Sequence, residues 1–197
     1  TSVAVGAGTV ATVTGLTADV ATFVAADTAT TITAKDDYAI TLTAGQTATV
    51  DQANVWDAEN GSGVTTATLS DVTVAELKTI TATGAVSALT VATTDTSADA
   101  ADLNTIDSVT SVVVGAATVA TVTGTTADVA TFVTAEQTNN TITAKAAYAI
   151  TLDGGQTATV DQVNAWDVAN STGVTTATIS DVTVAELKTI TATGAVS

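Results

Sequence analysis

The chain repeats itself, and this repetition limits the folds open to it more than any other feature. Residues 1–24 match residues 110–133 at 21 of 24 positions, and residues 31–87 match residues 141–197 at 46 of 57. A one-residue insertion near Gln137–Asn140 explains why the offset changes from 109 to 110. The sequence is therefore a long repeat, with copy one at 1–109 and a partial copy two at 110–197. Such self-similarity is typical of repeat architectures.

A shorter motif recurs seven times inside the long repeat, at intervals of 24 to 34 residues. It places an acid or amide shortly before two apolar residues three positions apart, as in ADVATF at Ala18–Phe23 and AELKTI at Ala75–Ile80. That spacing puts both apolar side chains on one face of a short helix. The larger side chains predicted to face the core are Phe23, Trp56, Leu77, Ile80, Leu103, Ile106, Phe132, Trp166, Leu187 and Ile190.

Helix-capping residues precede six of the seven motifs. A Thr or Asp lies two residues before each of these motifs, and an Asp, Glu or Gln follows three residues after it. Thr-x-x-Glu/Gln is the capping box, in which the two residues satisfy each other's backbone N–H groups. The predicted caps are Thr49, Thr73, Asp99, Thr125, Thr159 and Thr183, and Leu16 is the exception. Helices this short are unstable alone, so each must pack on another element.

Segments rich in β-branched residues separate the helices and alternate with a period near two. Thr9–Gly15, Tyr38–Gly45 and Val64–Ser70 are examples, and the pattern predicts strands. One short capped helix and one or two strands per 24–34-residue repeat predict an α/β solenoid. Its parallel strands would stack coil on coil, and about seven coils would form a single continuous domain over residues 1–197. A doubly wound sheet would need longer crossover helices.

Composition excludes the commonest kinds of catalytic site. The chain contains no His and no Cys, which rules out Ser-His-Asp and Cys-His triads and the usual zinc sites. We therefore predict that it is not an enzyme and needs no cofactor. A net charge of -16, with only four basic residues, argues against nucleic-acid binding. The uncharged stretches are rich in Thr and Gly and lack basic flanks, so we predict no membrane span.

One acidic segment makes calcium a weak candidate ligand. Thr93–Asp107 carries Asp95, Asp99, Asp102 and Asp107, and oxygen-rich turns are typical of Ca²⁺ sites. Neither the EF-hand spacing nor the calcium-binding nonapeptide repeat is present. Two of these carboxylates also suit the N-terminus of a helix, which is an alternative role.

Thr-x-Thr pairs recur along the predicted strands, for example at Thr12/Thr14 and Thr66/Thr68. On a strand, such a pair projects two hydroxyl and methyl groups onto one face. A regular array of these groups suits binding to ice or to a glycan. The alternative is that Thr is present only as a good strand former.

The differences between the two copies predict one packing site. Ala53 and Val55 of the first copy become Val163 and Ala165 in the second, so the two positions exchange sizes. A close-packed site conserves volume in this way. We therefore expect both positions to line one pocket near Trp56 or its equivalent.

The ADLNTID segment at Ala101–Asp107 and the turn and helix start at Gly124–Val129 lie in a background rich in Thr, Ala and Asp. In these features the chain resembles α/β solenoid repeats of very large secreted proteins of cyanobacteria and other marine bacteria. The resemblance implies an extracellular structural, matrix or adhesive role.

From these features we expect a structural repeat segment of an extracellular bacterial surface protein or filament. It would assemble coil on coil or head to tail, with itself or with further repeats of the same chain. No polar capping repeat is evident at either end of the sequence, so strand edges are expected to be exposed there. The alternative is an adhesin that binds glycan or ice through Thr-rich faces.

Overall fold

The computed structural model describes residues 3–81, 87–180 and 183–191. It is a mixed α/β protein in which all the strand pairs of the described residues are parallel. The chain divides into two compact units, residues 1–91 with 108–112 and residues 92–107 with 113–197. The two TATGAVS segments at 81–87 and 191–197, where the sequence predicts a turn leading into the next strand, lie largely outside the described residues.

The first unit contains seven strands and three helices within its described residues. They are β1 (Val5–Ala7), β2 (Thr12–Gly15), α1 (Thr17–Thr28), β3 (Ile32–Ala34), β4 (Ala39–Leu42), β5 (Thr47–Ala48), α2 (Val50–Glu59), β6 (Thr65–Leu69), α3 (Val74–Leu77) and β7 (Ala88–Thr90). The helices follow strands closely, as the repeat pattern predicts.

Consecutive short repeats supply neighbouring strands of the first unit. β2 pairs with β4, β4 with β6, and β6 with β7, so that Val13 lies opposite Ile40 and Ala67 lies opposite Leu89. β5 pairs with the last residues of β6, and β1 pairs with β3. Because residues alternate between the two faces of a strand, β6 buries Thr65, Ala67 and Leu69 and exposes the residues between them.

The second unit begins with an additional strand and helix and then largely repeats this order. Its described elements are β8 (Ser97–Asp99), α4 (Ala100–Ser108), β9 (Val114–Ala116), β10 (Thr121–Gly124), α5 (Thr126–Thr134), a π-helix (Ala135–Asn139), β11 (Ile142–Ala144), β12 (Ala149–Leu152), β13 (Thr157–Ala158), α6 (Val160–Asn170), β14 (Thr175–Thr176), β15 (Thr178–Ile179) and α7 (Val184–Leu187). The last residue of α4, Ser108, belongs to the first unit. The main sheet has the order β8–β10–β12–β14, β9 pairs with β11, and β13 pairs with β15.

Most of the predicted core residues are buried, but three are not. The structure buries Trp56, Leu77, Ile80, Leu103, Ile106, Phe132 and Trp166, which confirms those predictions. Phe23 is only half-buried, because the described part of the first unit places no helix before α1. Leu187 is exposed and Ile190 is half-buried, because the described residues contain no strand that pairs beyond β14 and β15.

The extra residue of the second copy is absorbed at a helix end. The last turn of α1 is replaced in the second copy by a π-helix of five residues that follows α5, the usual form of a one-residue insertion in a helix. In both copies a residue with left-handed backbone geometry lies within two positions of the helix end, with φ of 56° at Thr30 and 55° at Asn140. Asn tolerates that geometry, whereas a β-branched residue such as Thr does so poorly.

Two equivalent glycines allow one repeat to approach the next. A Cβ atom at Gly63 would overlap the carbonyl oxygen of Tyr38, and one at Gly173 would overlap that of Tyr148. Both positions therefore require Gly because of close backbone contact.

The prediction that positions 53 and 55 line one shared pocket is wrong. Ala53 and its equivalent Val163 are buried, but Val55 and Ala165 are exposed. Residues two apart on a helix point in different directions, so these positions do not share a pocket.

Candidate functional site

The predicted caps hold the helices as the sequence indicates. The hydroxyls of Thr49, Thr73, Thr159 and Thr183 each accept a hydrogen bond from the backbone N–H three residues later, and each belongs to a complete capping box. Thr125 accepts the same bond from the N–H of Asp128, and Asp99 accepts one from the N–H of Ala101. The Thr73 hydroxyl also donates to the carboxylate of Glu76 at 2.5 Å, and this bond is the main reason that the pKa of Glu76 is lowered.

Residues of the following repeat also cap helices, which the sequence pattern did not reveal. α1 lacks a side-chain cap at Leu16, and the carboxamide oxygen of Gln46 instead accepts from the N–H of Thr17 at 3.3 Å. Gln156 does the same for Thr126 in the second copy. The carboxylate of Asp71 accepts from the N–H of Val50 at the start of α2. These bonds join a helix to the repeat that comes after it.

Asparagine side chains make a second set of bonds between repeats. Asn54 on α2 donates to the carbonyl of Thr79 and accepts from the N–H of Thr81, both at 2.9 Å. Asn164 makes the same two bonds to Thr189 and Thr191 in the second copy, also at 2.9 Å. The residue after the first apolar position of the motif therefore binds the chain just beyond the next helix.

A buried polar cluster joins α2 to two strands in the first unit. The hydroxyl of Ser87 donates to Asp57 at 3.3 Å and accepts from the N–H of Thr65 at 3.2 Å. Asn60 lies beside them and donates to the hydroxyl of Thr65 at 3.2 Å. All four residues are buried, although Asp57 is an acid that the sequence pattern placed on no particular face. The Ser87 hydroxyl thus links α2 to β6.

An aromatic pair recurs at the same place in both copies. Phe23 and Tyr38 meet edge to face with ring centroids 5.5 Å apart, and Phe132 and Tyr148 do likewise at 5.5 Å. Burial, together with the charges of Asp27 and Glu59, raises the pKa of Tyr38 to about 12. Burial and Glu136 also raise the pKa of Tyr148. These tyrosines are core residues that stay neutral.

The strand edge at the start of the first unit is open. We call β1 and β2 the N-edge. Within the described first unit, β1 pairs with β3 alone and β2 with β4 alone. The equivalent strands of the second unit have neighbours on both sides, since β10 lies between β8 and β12, and Gly115 of β9 bridges to Ala92. As a result Val5 is 64% exposed, whereas its equivalent Val114 is 1% exposed.

The strand edge at the end of the second unit is open as well. We call β14, β15 and α7 the C-edge. Among described residues β14 pairs only with β12 and β15 only with β13, whereas their equivalent β6 also pairs with β7. Leu187 is 40% exposed and Val184 is 68% exposed, although Leu77 and Val74 in the identical sequence of the first copy are 0% and 5% exposed. The neighbouring strand, and not the sequence, decides whether this face is buried.

The four acidic candidates for calcium do not form a cluster. Among the described residues, no three acidic side chains lie together in a group that could hold a metal ion. Asp99 accepts a hydrogen bond at the start of α4, and Asp107 accepts from the hydroxyl of Thr141 at 2.9 Å. Both therefore have structural roles, and calcium binding stays a prediction.

The Thr-x-Thr pairs form ladders on the outer face of the sheet. Thr14, Thr41 and Thr66 lie side by side on three neighbouring strands. Thr47, Thr68 and Thr90 form a second ladder, and all three are exposed. In the second unit Thr123, Thr151 and Thr176 repeat the first ladder.

One surface groove lies between α1 and α2, with a volume of about 490 Å³. Its lining is mostly apolar and includes Val24, Val55 and Trp56, with Asp51 and Gln52 at its side.

In the described part of the chain, no helix is long and apolar enough to cross a membrane. Comparisons with protein-family models, curated proteins and solved structures returned no match.

Proposed function

We propose that the chain is a structural repeat segment of an extracellular bacterial surface protein or filament, with its short repeats stacked coil on coil as a solenoid. One observation carries the proposal. In each unit, neighbouring parallel strands come from consecutive short repeats, in the orders β2–β4–β6 and β8–β10–β12–β14. A stack of this kind is extended by adding repeats, and each repeat needs contacts only with its neighbours.

The hydrogen bonds between repeats support a structural role. Gln46, Asn54 and Asp71 each tie one repeat to the next through backbone groups, and the second copy reuses the first two positions as Gln156 and Asn164. Polar contacts at repeated positions give every interface the same geometry. Such uniformity suits a long structural element.

The partners we propose are further repeats of the same chain or other copies of it. Within the described residues, the strands of the N-edge and the C-edge each pair on one side only and lie beside exposed apolar side chains, which another strand would cover. Exposed strand edges readily pair with additional strands. We propose no role with nucleic acid and no enzymatic activity, because the composition provides neither basic clusters nor the His and Cys of the usual catalytic triads.

Location on the source bacterium tests this function directly. Antibodies against the chain should label the surface of intact cells, or filaments shed from them, in immunogold electron microscopy. Permeabilised cells provide the control for total antigen. Labelling that appears only after permeabilisation and lies in the cytoplasm would refute the extracellular role.

The Thr ladders favour a second function, that of an adhesin for glycan or ice. The three exposed threonines Thr47, Thr68 and Thr90 present hydroxyl and methyl groups at the spacing of neighbouring strands, about 4.8 Å. A glycan array and a thermal-hysteresis measurement test this alternative. Binding or hysteresis lost in Thr68→Lys would support it, and a null result in both assays would remove it.

A further inference from the structure

The two open edges differ from each other, and each has a covered counterpart elsewhere in the chain. The N-edge corresponds to β9 and β10, which the repeat containing β8 covers. The C-edge corresponds to β6 and α3, and β7 of the next repeat pairs with β6 there. The chain thus shows what kind of neighbour each edge accepts. Each edge accepts a parallel strand from an adjacent repeat.

We propose that a second copy of this chain docks its N-edge on the C-edge of the first. This inference rests on the proposed stacking of repeats. The two edges are different surfaces, so the contact is head to tail and leaves one free edge of each kind at the ends of the pair. A heterologous contact that does not close forms an open filament.

The register of the contact follows from pairs inside the first unit. β6 pairs with β7 so that Thr68 lies opposite Thr90, a separation of 22 residues. Ser87, just before β7, bridges in parallel to Thr110, so these two residues hold the same place in consecutive repeats. In the repeat alignment, Thr178 is equivalent to Thr68 and Thr1 to Thr110, so Ala4 holds the place of Thr90, each lying three residues further on. Docking therefore places Ala4 of one copy next to Thr178 of the other.

Charge and exposure favour this occupant over an unrelated protein. Residues 1–18 and 168–180 contain no charged side chain, although the chain as a whole carries -16. Val3 and Val5 on one side and Val174 and Leu187 on the other are exposed apolar residues. Glu186 of α7 is the one charged residue within the two edges, so the edges can meet without bringing like charges into contact, while the remaining charge opposes association until salt screens it.

Disulfide trapping tests the register, because the chain contains no Cys. Single-cysteine variants Ala4→Cys and Thr178→Cys are mixed and oxidised under conditions in which the wild type associates. Parallel neighbours place paired Cα atoms at a distance that a disulfide can bridge. We expect a cross-linked heterodimer at least ten times as abundant as either homodimer. The control pair Thr9→Cys with Thr178→Cys is out of register and should cross-link at the homodimer level.

Light scattering provides the matching test of association. The mass of the wild-type chain should rise with concentration, and more steeply in 0.5 M than in 0.02 M NaCl. Val5→Lys should keep the chain monomeric, whereas Val55→Lys, at another exposed valine that lies on α2, should associate like the wild type. A wild type that stays monomeric under all conditions, or equal cross-linking of both cysteine pairs, would overturn the docking. Surface labelling of cells would remain a separate test of the structural role.

Discussion

The left-handed residue after α1 allows the two copies to be tested against each other. Thr30 has φ of 56°, and its side chain is exposed, so a substitution there removes no core contact. The turn is held by backbone bonds from Thr30 N–H to Asp27 O at 2.7 Å and from Thr31 N–H to Ala26 O at 2.9 Å. This pair of bonds is the Schellman motif, which favours Gly or Asn at the left-handed position. The second copy has Asn140 there.

Thr30→Asn should therefore stabilise the protein. Left-handed geometry costs an ordinary L-residue about 1–2 kcal/mol, and Asn recovers part of that cost through its short polar side chain. We expect a gain of about 1 kcal/mol, which corresponds to a rise in melting temperature of about 2–4 °C for a chain of this size. The reverse substitution, Asn140→Thr, should lower stability by a similar amount.

Thermal unfolding followed by circular dichroism measures both variants. Thr9→Asn, at an exposed turn, serves as the control. Thr28→Asn would not serve, because the Thr28 hydroxyl donates a hydrogen bond to the carbonyl of Val24. Equal melting temperatures for the wild type and both swapped variants would refute the strain argument. A stabilising Asn140→Thr would show that the insertion does not place a left-handed residue there.

Three further perturbations test contacts between repeats. Gly63→Ala should cost more than about 2 kcal/mol of unfolding free energy, because the Cβ overlaps a backbone carbonyl, whereas Gly154→Ala has open space and should cost little, as urea unfolding would show. Asn54→Ala should cost about 1–3 kcal/mol in the same assay, because it removes two bonds to the next repeat. Tyr38 has a raised pKa of about 12, so the stability it contributes is present below pH 10 and is lost as the pH rises towards 12. Tyr38→Phe should reduce that alkaline loss by up to about 2 kcal/mol, and an unchanged pH profile would contradict the burial of this hydroxyl.

Local elements of the fold follow from the sequence because their causes are local. A capping box needs only a Thr and a Glu or Gln three residues apart, so the caps Thr49 and Thr183 are evident from the amino-acid sequence alone. The same holds for the apolar pairs of the helices and for alternating strands such as β6. The insertion near Gln137 is also visible in the sequence, although its accommodation as a π-helix is not.

Burial could not be predicted where it depends on a neighbour. Leu77 and Leu187 lie in identical sequences, yet only Leu77 is buried, because only β6 has β7 beside it in the described chain. Contacts such as Gln46 with Thr17 and Ser87 with Asp57 join residues about 30 positions apart. No local pattern marks such pairs. The Gln that recurs ten residues before each Trp, at Gln46 and Gln156, was the sequence feature that could have indicated the contacts of Gln with the preceding helix.

Amide hydrogen exchange resolved by NMR tests most directly whether a neighbouring repeat decides the protection of each strand. At low concentration, the outward-facing amides of β6 should be protected by β7, whereas the equivalent amides of β15 should exchange rapidly. At high concentration and salt, β15 and the N-edge strand β1 should gain protection together. Equal protection of β6 and β15 at low concentration, or no change at either edge on concentrating the protein, would contradict the account.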